Sequence, residues 1–307
     1  MRTQQTLVLH FVTFALAFVT TFCFADTETH RKESKGYLTV GSISNTPKEE
    51  MATFQPFADY LVANLNDPRY TKARVLVAYS LDEMIDLIQE EQVDLFLDSP
   101  FPIIAVRDQT GSVPFLLRWK KGIKEYNSVI FTHKDSGVNS LEDLKGKMVA
   151  FEEEFSTSGY FLPKATLMDT GLTLVEKLKR SARVPSNKVG YLFSKDDETT
   201  MYWVLKNLVH AGALNKNDFS ILAKKRLPEL KILKETMLVP RQLVVHRKSL
   251  PLEVVKEITE TLISMDKNEE GRAVLSGFSK TKKFEVLDHS TLLPINKLYT
   301  QISNEFE

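Results

Sequence analysis

The sequence predicts an α/β protein of two lobes with a ligand cleft between them. Short apolar runs alternate with amphipathic stretches from Gly36 onward, the pattern of strands and helices in parallel βαβ units. The alternation comes as two series in a chain of 307 residues, a length that suits about two domains. No repeat, low-complexity tract or long linker separates the series, so the chain is expected to cross between lobes on continuous strands, at residues 120–127 and again at about 230–240. This places a first lobe at 36–122 with a return at 233–307, and a second lobe at 123–232.

The first residues carry one early cation, Arg2, then an apolar run from Leu7 to Phe24, then Cys23-Phe24-Ala25. That is the layout of a secretory signal peptide, expected to be cut after Ala25. A retained anchor is the alternative, because the apolar run has 18 residues, the lower limit for a membrane span. A lipid-modified Cys23 is disfavoured by the bulky Phe22 before it. Cys23 is the only cysteine, so the mature chain is expected to lack disulfides, thiolate metal sites and a cysteine nucleophile. It would hold 39 basic and 40 acidic side chains, a net charge of −1, and it shows no basic stripe for nucleic acid.

Residues 26–35 are polar and aperiodic, the character of a flexible leader. Tyr37–Ser42 predicts a strand, and Pro47–Asn64, with apolar residues near a 3.6 period, predicts a helix. Ala73–Ala78 is a second strand; Ser80-Leu-Asp-Glu83 is a capping box opening a helix to Glu90. Val93–Leu97 is a third strand, ending in Asp98-Ser99-Pro100, and Val113–Trp119 and Asn127–His133 are two more, joined by the polar turn KKGIKEY. Ser140-Leu-Glu-Asp143 is another capping-box candidate, Met148–Phe151 a strand, and a helix should run to Thr170, where Gly171 ends it. Val189–Phe193 predicts a strand, Glu198–Val209 an amphipathic helix, and 237–245 one further apolar run. Helices are expected near Pro251–Met265 and Asn268–Leu275.

The stretch FEEEFSTSGYFLP, residues 151–163, lies where a strand hands over to a helix. The first N–H groups of a helix lack internal partners and carry partial positive charge. Ser156, Thr157 and Ser158 add hydroxyl donors, and Gly159 removes a side chain where a ligand approaches the backbone. Together they suit a phosphate, phosphonate, sulfonate or carboxylate head; an ordinary N-cap with surplus hydroxyls is the plainer alternative. Of the acids Glu152 to Glu154, alternation along the strand allows one to enter the cleft while the others are solvated.

FEEEFSTSGYFLPKATL resembles the STSGY-x-x-P segment of the periplasmic phosphonate/phosphite-binding proteins of ABC importers. The resemblance extends to Phe54-Gln-Pro-Phe-Ala-Asp-Tyr60, Val93-Asp-Leu-Phe-Leu, Tyr126-Asn-Ser-Val-Ile-Phe with Lys134-Asp-Ser-Gly137, Leu141–Lys147 and Val239–Leu250, spanning roughly Gly36 to Leu275. It implies a type II periplasmic binding protein that closes on its ligand, with Ser156, Thr157 and Ser158 holding an anionic head and Tyr126 at a ligand-contact position. It also implies a periplasmic location and delivery to an ABC permease. Three departures from the family pattern, Asp98 with Ser99 after the Val-Asp strand, Asp197 before Glu198-Thr199, and Asn217 where some members have an acid that reads a ligand amine, alter the cleft's charge. Two acids beside an anion are costly unless a cation joins them, so the ligand is expected to be zwitterionic if Asp98 and Asp197 face it. A sensory module with this fold, signalling to a membrane histidine kinase or cyclase, is the alternative partner class.

Among other features, Tyr37, Phe54, Trp119 and Tyr160 read as core, and Lys120, Lys121 and Lys124 as a solvated basic loop. The six histidines form no HExxH or similar pair, so no metal or other cofactor is expected. No Gly-x-Ser-x-Gly, phosphate-binding Walker loop or dinucleotide fingerprint occurs, and nothing designates a base for Ser156. The chain is therefore expected to be a monomeric binding protein and not an enzyme.

Overall fold

The computed structural model describes residues 36–302; the expected signal peptide and leader lie outside them. The first series comprises β1 (Gly36–Ile43), α1 (Pro47–Ala63), β2 (Tyr70–Ala78), α2 (Leu81–Gln89), β3 (Leu95–Asp98), α3 (Pro100–Thr110) and β4 (Val113–Arg118). Next come β5 (Glu125–Tyr126), β6 (Ser128–His133), β7 (Met148–Phe151), α4 (Leu162–Asp169), β8 (Thr173–Glu176), β9 (Lys188–Phe193), α5 (Asp197–Leu205), β10 (Ala211–Asn215), α6 (Lys216–Leu222) and β11 (Leu230–Glu235). The chain ends with β12 (Val239–Pro240), β13 (Gln242–His246), α7 (Leu252–Ser264), α8 (Glu269–Gly277), β14 (Phe284–Val286) and α9 (Leu293–Ile302).

These strands form two mixed six-stranded sheets. The first has the order β14-β4-β13-β3-β1-β2, with β1 parallel to β2 and β3, and β13 antiparallel to β3 and β4. The second has the order β11-β6-β10-β7-β9-β8, parallel from β10 through β8 and antiparallel at β6. Between them β5 pairs antiparallel with β12, Tyr126 opposite Val239 and Glu125 opposite Pro240. The KKGIKEY segment therefore does not close a hairpin: β4 belongs to the first sheet and β6 to the second.

Local chemistry accounts for the element ends. Ser80 accepts the Glu83 amide, the N-cap half of the first expected capping box, while Glu83 returns its bond to the Tyr79 amide at 2.7 Å and not to that of Ser80. The second does not open an α-helix. Asp143 does accept the amides of Asn139 and Ser140, but the chain makes only a short 3-10 turn at Glu142–Leu144 before Gly146, at φ +75°, turns it into β7. The helix expected to Val209 stops at Leu205, where Asn207 turns to φ +51°.

Each sheet is packed on both faces. Leu38, Val40, Phe54, Phe57, Leu61, Ile258, Leu262 and Phe278 build one side of the first sheet, with Phe57 and Phe278 stacked at 4.3 Å. On its other side, Met84, Ile85, Ile88, Phe101 and Ile104 join Phe161, Leu162 and Ala165 from the far side of the crossover. Phe101 and Phe161 stack at 4.7 Å, and Tyr299 of α9 lies 6.0 Å from each ring. Burying aromatic pairs of this kind adds about 0.5–1.5 kcal/mol beyond their area.

Candidate functional site

The chain from β7 to α4 builds the first wall. Ser156 is in extended conformation at the start of the turn, and its hydroxyl accepts the Gly159 amide at 2.9 Å. Residues Thr157–Phe161 then make one wide turn, closed by the Phe161 amide on the Ser156 carbonyl at 3.0 Å, which runs straight into α4. Thr157, Ser158 and Gly159 are buried in it. The first amides of such a turn precede any intrahelical acceptor and face outward. Gly159 is required here by contact: a Cβ on it would collide with the Glu152 side chain.

The second wall is the start of α3, which follows β3 in the first sheet. The Thr157 hydroxyl accepts the Phe101 amide at 2.8 Å and donates to the Ser99 hydroxyl at 2.9 Å; Ser99 in turn donates to the Asp98 carboxylate at 3.0 Å. Asn45 donates to Glu153, and Lys121 meets Asp218 at 2.9 Å. Residues following the two sheets thus touch one another directly at Thr157.

The crossover strands supply the floor. Tyr126 is buried, which raises its hydroxyl pKa, and that hydroxyl lies in reach of the Ser158 and Thr157 hydroxyls. Arg241, just beyond β12, places its guanidinium 4.4 Å over the Tyr126 ring. Lys120 lies close enough to Arg241, Arg118, Glu50 and Asp98 to feel their charges; burial first, and the two arginines next, push its pKa down to about 8. Arg118 is fully buried and among the described residues bonds only neutral groups, Thr281 at 2.9 Å, Gln242 at 2.8 Å and the Phe278 carbonyl at 2.9 Å, so burial pushes it down to about 9.

Acids face these cations. Burial pushes Asp98 up to about 6, opposed by its bonds to Ser99 and by the Lys120 charge. Glu152, which accepts from Ser156 Oγ at 2.7 Å, is pushed up to about 7 by burial and then by Glu153 and Asp218. Asp197 at the start of α5 rises to about 8 through burial and the charges of Glu152 and Asp218. Asp218 goes the other way: its ion pair with Lys121 outweighs its burial and holds it below the usual range.

Asp98, Ser99, Tyr126, Ser156, Thr157, Ser158 and Gly159 are therefore assembled at one place, with Asp197 within electrostatic range through Glu152. Several expectations need correction. The hydroxyls of Ser156 and Thr157 are not open donors; they are spent on Glu152 and on Ser99. Two of the three acids, Glu152 and Glu153, are drawn inward, and only Glu154 stays exposed, paired with Lys195. The lysines of the basic loop are engaged: Lys120 among the charges of Arg241, Arg118, Glu50 and Asp98, Lys121 on Asp218 and Lys124 on Glu285 at 2.7 Å. Asn217 is exposed, and the acid of that region is its neighbour Asp218. The roles of Lys120, Arg241 and Asp218 escaped the sequence reading, which took Lys120 as part of a solvated loop, because their partners lie on distant strands; the one signal was the position of the first two in the crossing segments. A groove of about 520 Å³ between α1 and β2 shares no lining residue with this cluster.

Residues 40–292 match the sequence family described as ABC transporter, phosphonate, periplasmic substrate-binding protein. The chain belongs to this family. It is 24% identical over 295 residues to the phosphonates-binding periplasmic protein of Escherichia coli, covering 92% of this chain and 82% of that protein. It is also 25% identical over 174 residues to the tetrathionate sensor histidine kinase TtrS of Salmonella typhimurium, covering 52% of this chain and 28% of the kinase. Among solved structures, XAC2383 from Xanthomonas citri bound to chloride ion superposes with a TM-score of 0.82 at 23% identity, over 87% of this chain and 98% of that one. PhnD1 from Prochlorococcus marinus in complex with methylphosphonate gives 0.66 at 21% identity, over 87% and 98%. These likenesses show a shared fold, that of the type II periplasmic binding proteins. Family members are periplasmic substrate-binding proteins of ABC phosphonate transporters.

Proposed function

We propose that this chain captures a small phosphonate-like oxyanion in the cleft at Thr157 and presents it to an ABC permease, after export by a signal peptide cleaved behind Ala25, as a monomer and without turnover. The observation that carries this reading is the contact of Thr157 with both walls, Ser99 and Phe101 on one side and the 156–159 turn on the other. An anion seated there meets groups from both sheets, and a ligand favours the closed state only through such differential contacts. Lys120 and Arg241 supply the opposing charge, neither engaged by a carboxylate in an ion pair among the described residues.

The acid on the other side favours a ligand that also carries a positive group. Asp98 is committed to Ser99 and Glu152 to Ser156, so the amine would face Asp197. A thermal-shift screen of the ligand-stripped chain from Asp26 onward against phosphate, phosphite, methylphosphonate, 2-aminoethylphosphonate and sulfonates tests this. At 100 times its dissociation constant a ligand stabilises the fold by about 2.7 kcal/mol, about 5 °C at this size. In Asp197→Asn the shift with 2-aminoethylphosphonate should fall more than that with methylphosphonate; equal falls would remove the amine, and no shift with any oxyanion would remove the reading.

The similarity to part of a sensor kinase favours a second reading, a receptor whose ligand state is read by a membrane sensor. Deleting the gene should abolish uptake of the labelled ligand if the partner is a permease, and leave uptake intact if it is a sensor.

A further inference from the structure

The donor hydrogens of the cradle all run toward carboxylates. The Phe101 amide donates to Thr157, Thr157 to Ser99 and Ser99 to Asp98, with heavy-atom distances of 2.8, 2.9 and 3.0 Å. On the other side the Gly159 amide donates to Ser156 and Ser156 to Glu152, at 2.9 and 2.7 Å. Each hydroxyl has one proton, and here that proton points away from where an anion would sit. Thr157 can turn its proton to an oxyanion without disturbing Asp98, which keeps the Ser99 hydroxyl at 3.0 Å and the Ser99 amide at 2.5 Å. For Ser156 to do the same, its proton must leave Glu152, which then loses the hydroxyl donor it holds at 2.7 Å. A protonated carboxyl resolves this, because its own O–H then donates back into the chain.

We infer that Glu152 is a specificity-determining residue that couples oxyanion capture to proton uptake, taking a proton from solvent as the Ser156 hydroxyl turns toward the ligand. This rests on the reading above that an anion binds at the 156–159 turn. The balance is simple: the carboxylate gains one solvent proton, the Ser156 hydroxyl proton turns toward the ligand, and no heavy-atom bond forms or breaks. The site is suited to it, since burial already holds Glu152 at about 7. Glu152 is faced by Glu153, Asp197 and Asp218, which oppose its charge, and by Arg241, which favours it. Its bound-state pKa lies above its free-state value, so affinity is greatest at low pH and weakens as pH rises through about 7, by up to about tenfold per pH unit.

The test is calorimetric titration of methylphosphonate, which lacks an amine, into the chain from Asp26 onward, in pairs of buffers of different ionisation enthalpy between pH 6 and 9. The ligand's own titration contributes equally to wild type and variants, so the difference between them reports the carboxyls. Wild type should take up more protons per ligand than Glu152→Gln, which should also show a flatter dependence of Kd on pH, while Asp98→Asn should take up as many as wild type. Ser156→Ala, which removes the hydroxyl without touching a carboxyl, should lose the same uptake as Glu152→Gln. Binding with equal proton uptake in all four proteins would overturn the inference alone; absence of binding by wild type at every pH would overturn it together with the reading beneath it.

Discussion

Gly159 and Tyr126 show what single residues contribute to the cleft. The Glu152 side chain occupies the volume a Cβ would need at Gly159, so Gly159→Ala forces the carboxyl out of its bond with Ser156. Overpacking of this kind costs about 1–3 kcal/mol, and chemical denaturation should show a loss of that size. Tyr126→Phe keeps the ring under Arg241 but removes the hydroxyl near Ser158. One hydrogen bond is worth about 0.5–1.5 kcal/mol, so Kd for a phosphonate should rise about three- to tenfold with little change in melting temperature. The hydroxyl cluster and Tyr126 were legible in the sequence because they sit in contiguous, motif-bearing stretches. Lys120 and Arg241 were not, since their roles depend on Arg118, Glu50 and Asp98 being brought alongside by strands far away in the chain.

At the scale of elements, α3 is the instructive case. It follows Asp98-Ser99 directly and carries Ser99 and Phe101 to Thr157, yet no helical period announced it. Residues Pro100 to Val106 are all buried, so the helix has no polar stripe to alternate with. The amphipathic helices α7 and α8, by contrast, were readable to within two residues. β8, β10, α6, β11, β14 and α9 passed unnoticed because each is short or half-polar. Phe101 of α3 stacks on Phe161 at the head of α4, so this pair ties the two walls together. Phe161→Ala should cost about 3–5 kcal/mol in stability, as for other buried aromatics, and should weaken ligand binding as well; a loss of stability with unchanged Kd would mean that the stack does not align the walls.

For the whole molecule, the cleft gathers more acid than the native fold can keep ionised at neutral pH. Glu152 and Glu153 are pushed up to about 7 and Asp197 to about 8, in each case chiefly by burial. Their folded pKa values exceed the unfolded ones, so the native chain holds protons that the unfolded chain has released. Stability is then greatest near the ordinary carboxylate range and falls as pH rises through about 8. Lys120, depressed to about 8, acts in the opposite sense only above that pH. The ligand-free protein should therefore melt at a higher temperature at pH 5.5 than at pH 8; equal or reversed melting temperatures would show that these carboxyls are solvated in the native state. The central claim is that an oxyanion is held at Thr157 by both walls at once. Calorimetric titration of a phosphonate into wild type and Thr157→Val tests it most directly. The account predicts saturable binding to the wild type and a Kd raised at least about tenfold in the variant, the equivalent of about 1.4 kcal/mol. Equal affinities in the two proteins would contradict it.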